Sequence, residues 1–257
     1  MNSFFTRSFL CFAMANLLLL DLAAQQAPAP GAAPSPQSQP TDKINNQDSK
    51  PIDKNQGTSN DRLFYALPNF LTLENSGKVP PLTTTQKFKV VTRGSFDYIQ
   101  IPWYGALAGI SQAENSEPGY GQGAEGYGKR LGSAFADGTI ENYMTGAVLP
   151  SLLHQDPRFF QESEGGFVHR TGYAVSRIFI TRTDSGHQQF NFSEVVGSAM
   201  SAAISTYSYH PKGDRNLPNT ASVWGTQVGY DTVTIVVKEF WPDIRRKISK
   251  KKQYASQ

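Results

Sequence analysis

The segment 127–153 constrains the fold most, because its apolar residues recur with the period of an α-helix. The stripe that they form consists of Tyr127, Leu131, Phe135, Ile140, Met144 and Val148. Near the end of the segment, Pro150 lacks a backbone N–H and crowds the carbonyl group four residues earlier. We therefore expect one long helix with a kink close to Pro150.

Four other segments have weaker helical patterns. They are 84–112, with a break near Pro102, then 167–181, 192–207, and 221–248, which is interrupted at Pro242. Asn191 or Ser193 can cap the third of these segments, and Asn219 or Thr220 can cap the fourth. The sequence therefore predicts an all-α fold, a single domain of five to six glycine-rich, closely packed helices over residues 62–248.

Pairs of glycines four residues apart recur inside the predicted helices. The pairs are Gly105 with Gly109, Gly128 with Gly132, and Gly225 with Gly229. A glycine inside a helix costs about 1 kcal/mol relative to alanine. Close approach of two helix backbones is the usual compensation. We expect these glycine-lined faces to pack helices together or to mediate self-association.

The amino-terminal part of the chain has the pattern of an export signal. Arg7 precedes an apolar run that ends at Asp21, and small residues before Gln25 favour cleavage after Ala24. We expect residues 1–24 to be a signal peptide. Residues 25–61 are rich in Pro, Ala and Gln, and we expect them to form a disordered linker. The only cysteine, Cys11, lies in the signal, so no disulfide is expected in the mature chain.

Composition excludes several classes of protein. A mean hydropathy of -0.41 argues against a multi-span transporter, and a net charge of +3 is too small to indicate a nucleic-acid-binding protein. The longest uncharged stretches, 98–113 and 195–209, are shorter than the about 20 residues of a membrane-spanning helix. We expect them to be core helices, with partial insertion at a membrane interface as the alternative.

The carboxyl-terminal end combines an apolar helix with basic residues, and residues 249–257 are expected to be a flexible basic tail. This composition suits an anionic lipid surface, and a solvated tail is the alternative. The candidate membrane-surface residues are Trp241, Arg245, Arg246, Lys247, Lys250, Lys251 and Lys252.

The glycine-rich loop 119–130 contains spacings found in nucleotide-binding loops. No buried strand precedes this loop, and Arg130 stands where a phosphate-binding loop needs Ser or Thr for magnesium. The sequence therefore argues against nucleotide binding. Lys129 and Arg130 remain candidate anion-binding residues at the start of a helix.

Two polar clusters provide candidate catalytic residues. His154, Asp156 and Arg158 form the first, in which Asp156 could orient His154 as a base or pair with Arg158. Arg182, Asp184, His187 and Glu194 fall within thirteen positions and form the second. The candidates taken from the two clusters are His154, Asp156, Arg158, Asp184 and His187, and no catalytic role is assigned to them. The four histidines are isolated in the sequence, and neither a metal nor a cofactor is expected.

The tripeptide Ser185-Gly186-His187 resembles an element of the type 2 phosphatidic acid phosphatases. In that family the histidine attacks a phosphoryl group, which would imply a phosphoesterase. This chain departs from the family pattern, because Asp184 replaces the usual proline.

A larger set of motifs resembles an uncharacterised group of exported bacterial helical proteins. The motifs are the Tyr127-Gly-Lys-Arg run, the stretch from Leu149 to Phe160, Asn191-Phe-Ser-Glu and Tyr209-His-Pro. This resemblance covers about residues 62–246 and implies a helical fold behind a signal peptide, without an activity.

The sequence thus predicts an exported protein of the periplasm or cell envelope that acts by binding or scaffolding, without evident catalysis. Its expected partners are an anionic lipid or membrane surface, an envelope protein, or a second copy of itself. The alternative is an envelope hydrolase that uses the His/Asp/Arg cluster.

Overall fold

The fold is dominated by helices, which account for 67% of the residues that the structure describes. The computed structural model describes residues 57–74 and 79–255, with side chains as far as Lys250. These residues belong to one unit, Pro51–Gln257. The predicted signal peptide and most of the predicted linker lie outside them.

Seven α-helical segments follow one another along the described residues, with a π-helical turn between the third and the fourth. They are α1 (Thr84–Ser95), α2 (Gln100–Glu114), α3 (Gly123–Tyr143), the π-helix Met144–Val148, α4 (Leu149–Leu152), α5 (Phe167–Phe179), α6 (Phe192–Ser208) and α7 (Leu217–Ala255). Short 3-10 helices occur at Pro118–Tyr120 and Lys212–Asp214. The prediction of a helix-dominated chain is therefore confirmed, and α7 continues past Ile248 to Ala255.

Short strands accompany the helices, and the expected all-α class did not include them. They are β1 (Arg62–Leu63), β2 (Leu67–Pro68), β3 (Thr72–Leu73), β4 (Gln155–Asp156), β5 (Phe159–Phe160), β6 (Ile180–Thr183) and β7 (Gln188–Phe190). β1 pairs with β2 and β4–β6–β7 form a sheet, all antiparallel, whereas β3 pairs with β5 in parallel. Each strand is too short to show alternation of polar and apolar residues in the sequence.

The prolines act at two different kinds of position. Pro150 follows the π-helix and lies in the first turn of α4, so the predicted irregularity in the long helix occurs just before it. The break predicted near Pro102 lies earlier, at residues 96–99. Pro102 itself is in the first turn of α2, where a backbone N–H has no intrahelical partner, so a proline is tolerated.

Side-chain caps determine where the helices begin. Thr83 and Gln86 form a reciprocal capping box at α1. Asn191 caps α6 by accepting a hydrogen bond from the Glu194 amide at 3.1 Å, which confirms one of the two predicted alternatives. At α7, however, the capping oxygen belongs to Asn216, which accepts from the Asn219 amide at 2.9 Å. The helix therefore begins at Leu217, earlier than predicted, and its first turn is Leu217-Pro218-Asn219.

Glycines allow close packing at other positions than the repeated pairs. A Cβ atom at Gly138 would overlap the phenol of Tyr104, and one at Gly146 would lie 2.8 Å from the side chain of Val91. By contrast, Cβ atoms at Gly109, Gly128, Gly132 and Gly225 would meet nothing within 4 Å. In the described part of the chain, these four glycines do not lie at tight contacts between helices.

Residues 57–61 belong to the folded unit, although the sequence placed them in the linker. The Ser59 amide donates to the carbonyl of Phe70 at 2.9 Å, and Arg158 Nη1 donates to the carbonyl of Gly57 at 3.0 Å. Backbone hydrogen bonds to buried segments hold this stretch in place. None of the described helices is both long and apolar enough to cross a membrane.

Candidate functional site

A cavity of about 260 Å³ lies among the helices and the short strands. Apolar side chains such as Val91, Phe160 and Ile235 form part of its wall. Charged side chains also line it, and they come from four different parts of the chain: Asp156, Arg158, Arg177, Arg182, Glu194, Asp231 and Lys238. The lining is about as polar as it is apolar, so a ligand would be held by polar groups as well as by apolar contact.

Two carboxyl groups of the cavity wall are hydrogen-bonded to each other. They belong to Glu194 near the start of α6 and Asp231 in α7. Burial raises the pKa of Glu194 well above its usual value, and the negative charge of Asp231 raises it further. Burial also raises the pKa of Asp231. Because two neighbouring carboxylates repel each other, the pair retains a proton at neutral pH.

A third carboxyl group, that of Glu141 in α3, interacts with this pair. Burial, followed by the charges of Asp231 and Glu194, raises the pKa of Glu141 to about 10. One carboxyl oxygen of Glu141 and one of Glu194 are buried without a hydrogen-bond partner in the described part of the chain. An unsatisfied buried polar group costs about 1–3 kcal/mol, and because both oxygens are fully buried this cost is carried within the fold.

Lys238 supplies the positive charge nearest to the carboxyl groups. It follows Asp231 by two helical turns, which places the two residues on the same face of α7. Burial lowers the pKa of Lys238, and the charges of Asp231 and Glu194 act in the opposite direction. Within the described residues, the Lys238 ammonium forms no ion pair shorter than 4 Å.

Two arginines line the wall formed by α5 and β6. The Arg177 guanidinium lies 4.8 Å from the centre of the Tyr173 ring, and that of Arg182 lies 4.5 Å from the centre of the Phe160 ring. Neither arginine forms an ion pair with a carboxylate among the described residues. Arg177 Nε donates to Ser176 Oγ at 3.3 Å, and the guanidinium charges of both arginines lack a carboxylate partner in this part of the chain.

The remaining two charged residues of the wall, Asp156 and Arg158, form an ion pair with each other. Arg158 Nη2 lies 2.6 Å from Asp156 Oδ2, and Arg158 Nε lies 2.8 Å from Asp156 Oδ1. Both side chains are almost fully buried. Of the two alternatives left open by the sequence, Asp156 pairs with Arg158 and does not orient His154.

Of the other candidate catalytic residues, Asp184 contacts a buried lysine, and the two histidines lie at the surface. Asp184 forms an ion pair with Lys87, and its backbone amide donates to the carbonyl of His154 at 2.8 Å. The side chains of His154 and His187 are exposed. The structure thus brings the backbones of the two clusters together without assembling their side chains into one site. No group of three metal-ligating side chains occurs in the described ranges.

Arg130 is not an anion-binding residue, which corrects the prediction for the glycine-rich loop. Its side chain is 2% exposed, and its guanidinium donates to the carbonyls of Gly121 and Glu117 and to the side chain of Gln112. These bonds hold the loop against α3. The neighbouring Lys129 is exposed and forms an ion pair with Glu125 at 2.6 Å.

Trp241 is not a membrane-surface residue, because its side chain is fully buried. The rings of Phe64 and Tyr65 cover it at centroid distances of 5.1 and 5.7 Å. Arg245 is also engaged, with Asp61 at 3.1 Å and Glu74 at 2.8 Å.

The other predicted membrane-surface residues lie further along α7. Arg246, Lys247 and Lys250 are exposed, and Arg246 is paired with Asp243. The side chains of Lys251 and Lys252 lie outside the described residues.

A buried histidine network lies next to the glycine-rich loop. His210 Nε2 lies 3.2 Å from Asp137 Oδ2 and 3.2 Å from Ser133 Oγ, and His210 Nδ1 lies 3.4 Å from Glu117 Oε1. This arrangement superficially matches a Ser-His-acid triad. Burial by itself lowers the pKa of His210, but the hydrogen-bonded Asp137 carboxylate and the nearby Glu117 carboxylate raise it to about 10. A histidine that is protonated at neutral pH cannot act as the base of a triad.

The sequence identified Glu194 only as a member of a polar cluster, and Glu141, Asp231 and Lys238 were missed. A usable signal was present, since Asp231 and Lys238 are the first two charged residues of α7 and are seven positions apart. A charged residue within an otherwise uncharged helical segment must be solvated, paired or directed into a site. Comparisons of the chain with protein-family models, with curated proteins and with solved structures found no match.

Proposed function

We propose that this protein is an exported, envelope-associated binding protein whose cavity holds a small amphipathic molecule. The observation that carries this proposal is the cavity itself, which charged and apolar side chains from separate parts of the chain line together. Arg177 and Arg182 line it without a carboxylate partner among the described residues. A ligand with an anionic or hydrogen-bond-accepting group would supply that partner.

The size and the lining of the cavity favour a small ligand. Its volume of about 260 Å³ lies just below the roughly 300–1,000 Å³ found for ligand pockets. Apolar side chains such as Val91 and Ile235 provide contact area, whereas Asn142, Asn191 and Thr234 provide hydrogen-bonding groups. This combination suits a molecule with an apolar middle and polar ends.

The arrangement supports binding better than it supports the hydrolase that the sequence left as an alternative. Asp156 is held by Arg158, and Asp184 is held by Lys87. His154 and His187 are exposed. A hydrolase built from these four residues would need a nucleophile and a base within about 3 Å of each other. Instead, the two carboxylates are in ion pairs and the two histidines face solvent.

An envelope location is part of the proposal, and it is supported by the signal-like sequence 1–24 and by the end of α7. Arg246, Lys247 and Lys250 are exposed there. Each basic residue near an anionic membrane contributes about 1 kcal/mol to binding at low salt. The exposed faces at Gly128 and Gly132 are the proposed surface for self-association or for an envelope partner.

Ligand-observed NMR with a library of small polar and amphipathic fragments tests the binding function on the full chain. We expect fragments that bind the native protein and no longer bind Thr234→Phe, which places a ring in the cavity. The control is Val168→Phe, because Val168 is 82% exposed and lies outside the cavity. Fragments that bind all three proteins equally, or the absence of any bound fragment, would contradict the proposal.

Fractionation of cells that express the full chain tests the location. We expect the protein with the membranes, released by high salt, because the exposed basic residues at the end of α7 would hold it by electrostatic attraction. Release only by detergent would contradict purely electrostatic attachment, and recovery in the cytoplasmic fraction would contradict export.

A further inference from the structure

We propose that Arg177 and Arg182 bind the phosphate group of a small phosphate monoester in the cavity. This inference rests on the proposed binding function and adds to it the chemical class of the ligand. It follows from the positions of the two guanidinium groups, from the charge balance of the cavity wall and from the size of the cavity.

The two guanidinium groups lie on neighbouring aromatic rings. That of Arg177 lies 4.8 Å from the centre of the Tyr173 ring, and that of Arg182 lies 4.5 Å from the centre of the Phe160 ring. The two ring-bearing residues are in contact, because the Tyr173 hydroxyl donates to the Phe160 carbonyl at 2.7 Å. Burial raises the pKa of Tyr173, and the charges of both arginines act in the opposite direction, so both act on the same hydroxyl group. All four residues line the cavity, and the two positive charges therefore belong to one region of its wall.

The protein uses little of the hydrogen-bonding capacity of these two guanidinium groups. Arg177 Nε donates to Ser176 Oγ at 3.3 Å, and no described residue accepts a hydrogen bond from the Arg182 side chain. A guanidinium has five N–H donors in one plane, and their spacing matches the oxygens of a phosphate group. An aromatic ring against the face of the guanidinium leaves the in-plane N–H donors accessible at its edge. The expected partner is therefore a group with several acceptor oxygens.

The charges of the cavity wall favour a ligand group with two negative charges. Asp156 and Arg158 neutralise each other in their ion pair. Glu194 and Asp231 retain a proton between them, and Lys238 balances the negative charge that remains. The two arginines on the aromatic rings then leave the described wall with two positive charges in excess. A phosphate monoester carries nearly two negative charges at neutral pH, whereas a carboxylate or a sulfate ester carries one.

The size of the cavity limits the organic part of the ester. Ile178 and Ile180 lie between the two arginines in the sequence and also line the cavity, and Val91 and Ile235 provide further apolar contact. A volume of about 260 Å³ holds a phosphate group and a short hydrocarbon chain, but not the two acyl chains of a phospholipid. The structure therefore favours a water-soluble ester over a lipid headgroup as the source of the phosphate.

Isothermal titration calorimetry of the full chain at pH 7.5 tests the inference. The probes are butyl phosphate, butyl sulfate and pentanoate, which have the same hydrocarbon chain and differ in the charge of the end group. We expect butyl phosphate to bind at least about tenfold more tightly than either of the other two, because only its end group balances both arginines. Equal affinity for butyl phosphate and butyl sulfate would overturn the phosphate assignment.

Substitutions of the two arginines test where the phosphate lies. Arg177→Gln and Arg182→Gln should each lower the affinity for butyl phosphate at least about tenfold and remove most of its preference over butyl sulfate. Neither substitution breaks an ion pair among the described residues, and thermal unfolding verifies that each variant is folded. Arg182→Lys should bind more weakly than the native protein but keep the preference, since it retains the charge without the planar donors. Arg246→Gln is the matched control, because Arg246 is exposed and lies outside the cavity.

The outcomes distinguish this inference from the proposed function. If fragments bind the cavity in the NMR screen but butyl phosphate does not exceed butyl sulfate, the phosphate is wrong and the binding function stands. If Lys238→Met abolishes the binding of butyl phosphate and neither arginine variant weakens it, the placement is wrong. Vesicles that contain phosphatidic acid test the other source, and Arg177-dependent binding to them without binding of butyl phosphate would overturn the soluble ester. If neither fragments nor butyl phosphate bind the cavity, the binding function and this inference both fail.

Discussion

The ammonium group of Lys87 lies 2.8 Å from both carboxylate oxygens of Asp184, although 97 positions separate these residues in the sequence. The same ammonium donates to the carbonyl of Gln155 at 2.8 Å and to that of Pro150 at 3.2 Å. The Lys87 side chain is 1% exposed. One buried cation therefore joins α1 to the first turn of α4, to β4 and to the turn after β6.

Replacement of Lys87 by Met should destabilise the protein by about 3 kcal/mol, because it leaves a carboxylate and two carbonyl groups without their donor. Lys129→Met is the control. Its ammonium is half-exposed and pairs only with Glu125, so the expected loss is below about 0.5 kcal/mol. Urea denaturation at neutral pH measures both values. Equal effects of the two substitutions would show that the Lys87 contacts do not hold the elements together.

We expect alanine substitutions at two glycines of α3 to have opposite effects on stability. At Gly138 a Cβ atom would overlap the Tyr104 phenol, so Gly138→Ala should destabilise by about 1–3 kcal/mol. At Gly128 a Cβ atom meets nothing within 4 Å, so Gly128→Ala should stabilise by up to about 1 kcal/mol through helix propensity. Thermal unfolding of the two variants checks the signs. Destabilisation by Gly128→Ala would indicate a contact at the repeated glycine pair, as the sequence analysis expected.

His210 should stabilise the protein in a pH-dependent manner. The folded protein raises the pKa of His210 from 6.5 to about 10, because the Asp137 and Glu117 carboxylates outweigh the effect of burial. The stabilisation is therefore fully present below about pH 6.5 and is lost as the pH rises through about 10. His210→Gln should cost about 3 kcal/mol near pH 6 and much less near pH 10.

The control for this pH dependence is His187→Gln, since His187 is exposed. Chemical denaturation of both variants and the native protein across this pH range gives the comparison. A cost of His210→Gln that stays constant or grows with pH would be inconsistent with a charged histidine in the network.

Local features of the fold could be predicted from the sequence. The stripe from Tyr127 to Val148 identified α3 and the π-helix, and the Asn191 cap located the start of α6. These predictions succeeded because the interactions involved lie within a few residues along the chain. The break near Pro102 was placed wrongly, since a proline in the first turn of a helix favours its start.

Contacts between distant segments could not be predicted in the same way. The basic neighbours of Trp241 predict a membrane-surface position, whereas in the structure Phe64 and Tyr65 cover its ring. Arg130 was read as an anion site, yet it binds loop carbonyls. In each case the partner is set by tertiary packing, which a pattern of adjacent residues does not encode. The same reason explains why the pair of Glu194 and Asp231 was missed.

Glu141 should make the protein less stable as the pH rises. Burial and the charges of Asp231 and Glu194 raise the pKa of Glu141 from 4.5 to about 10, so the folded state holds a proton that the unfolded state releases between these two values. Stability then falls with pH across this window. Glu141→Gln keeps the shape of the neutral side chain and removes the titration. It should raise the free energy of unfolding by about 2 kcal/mol near pH 8 and change it little near pH 4. Glu125→Gln, on the surface of α3, should show no such dependence, and urea denaturation at the two pH values decides. A loss of stability near pH 8 would mean that the Glu141 side chain is ionised and paired in the folded protein.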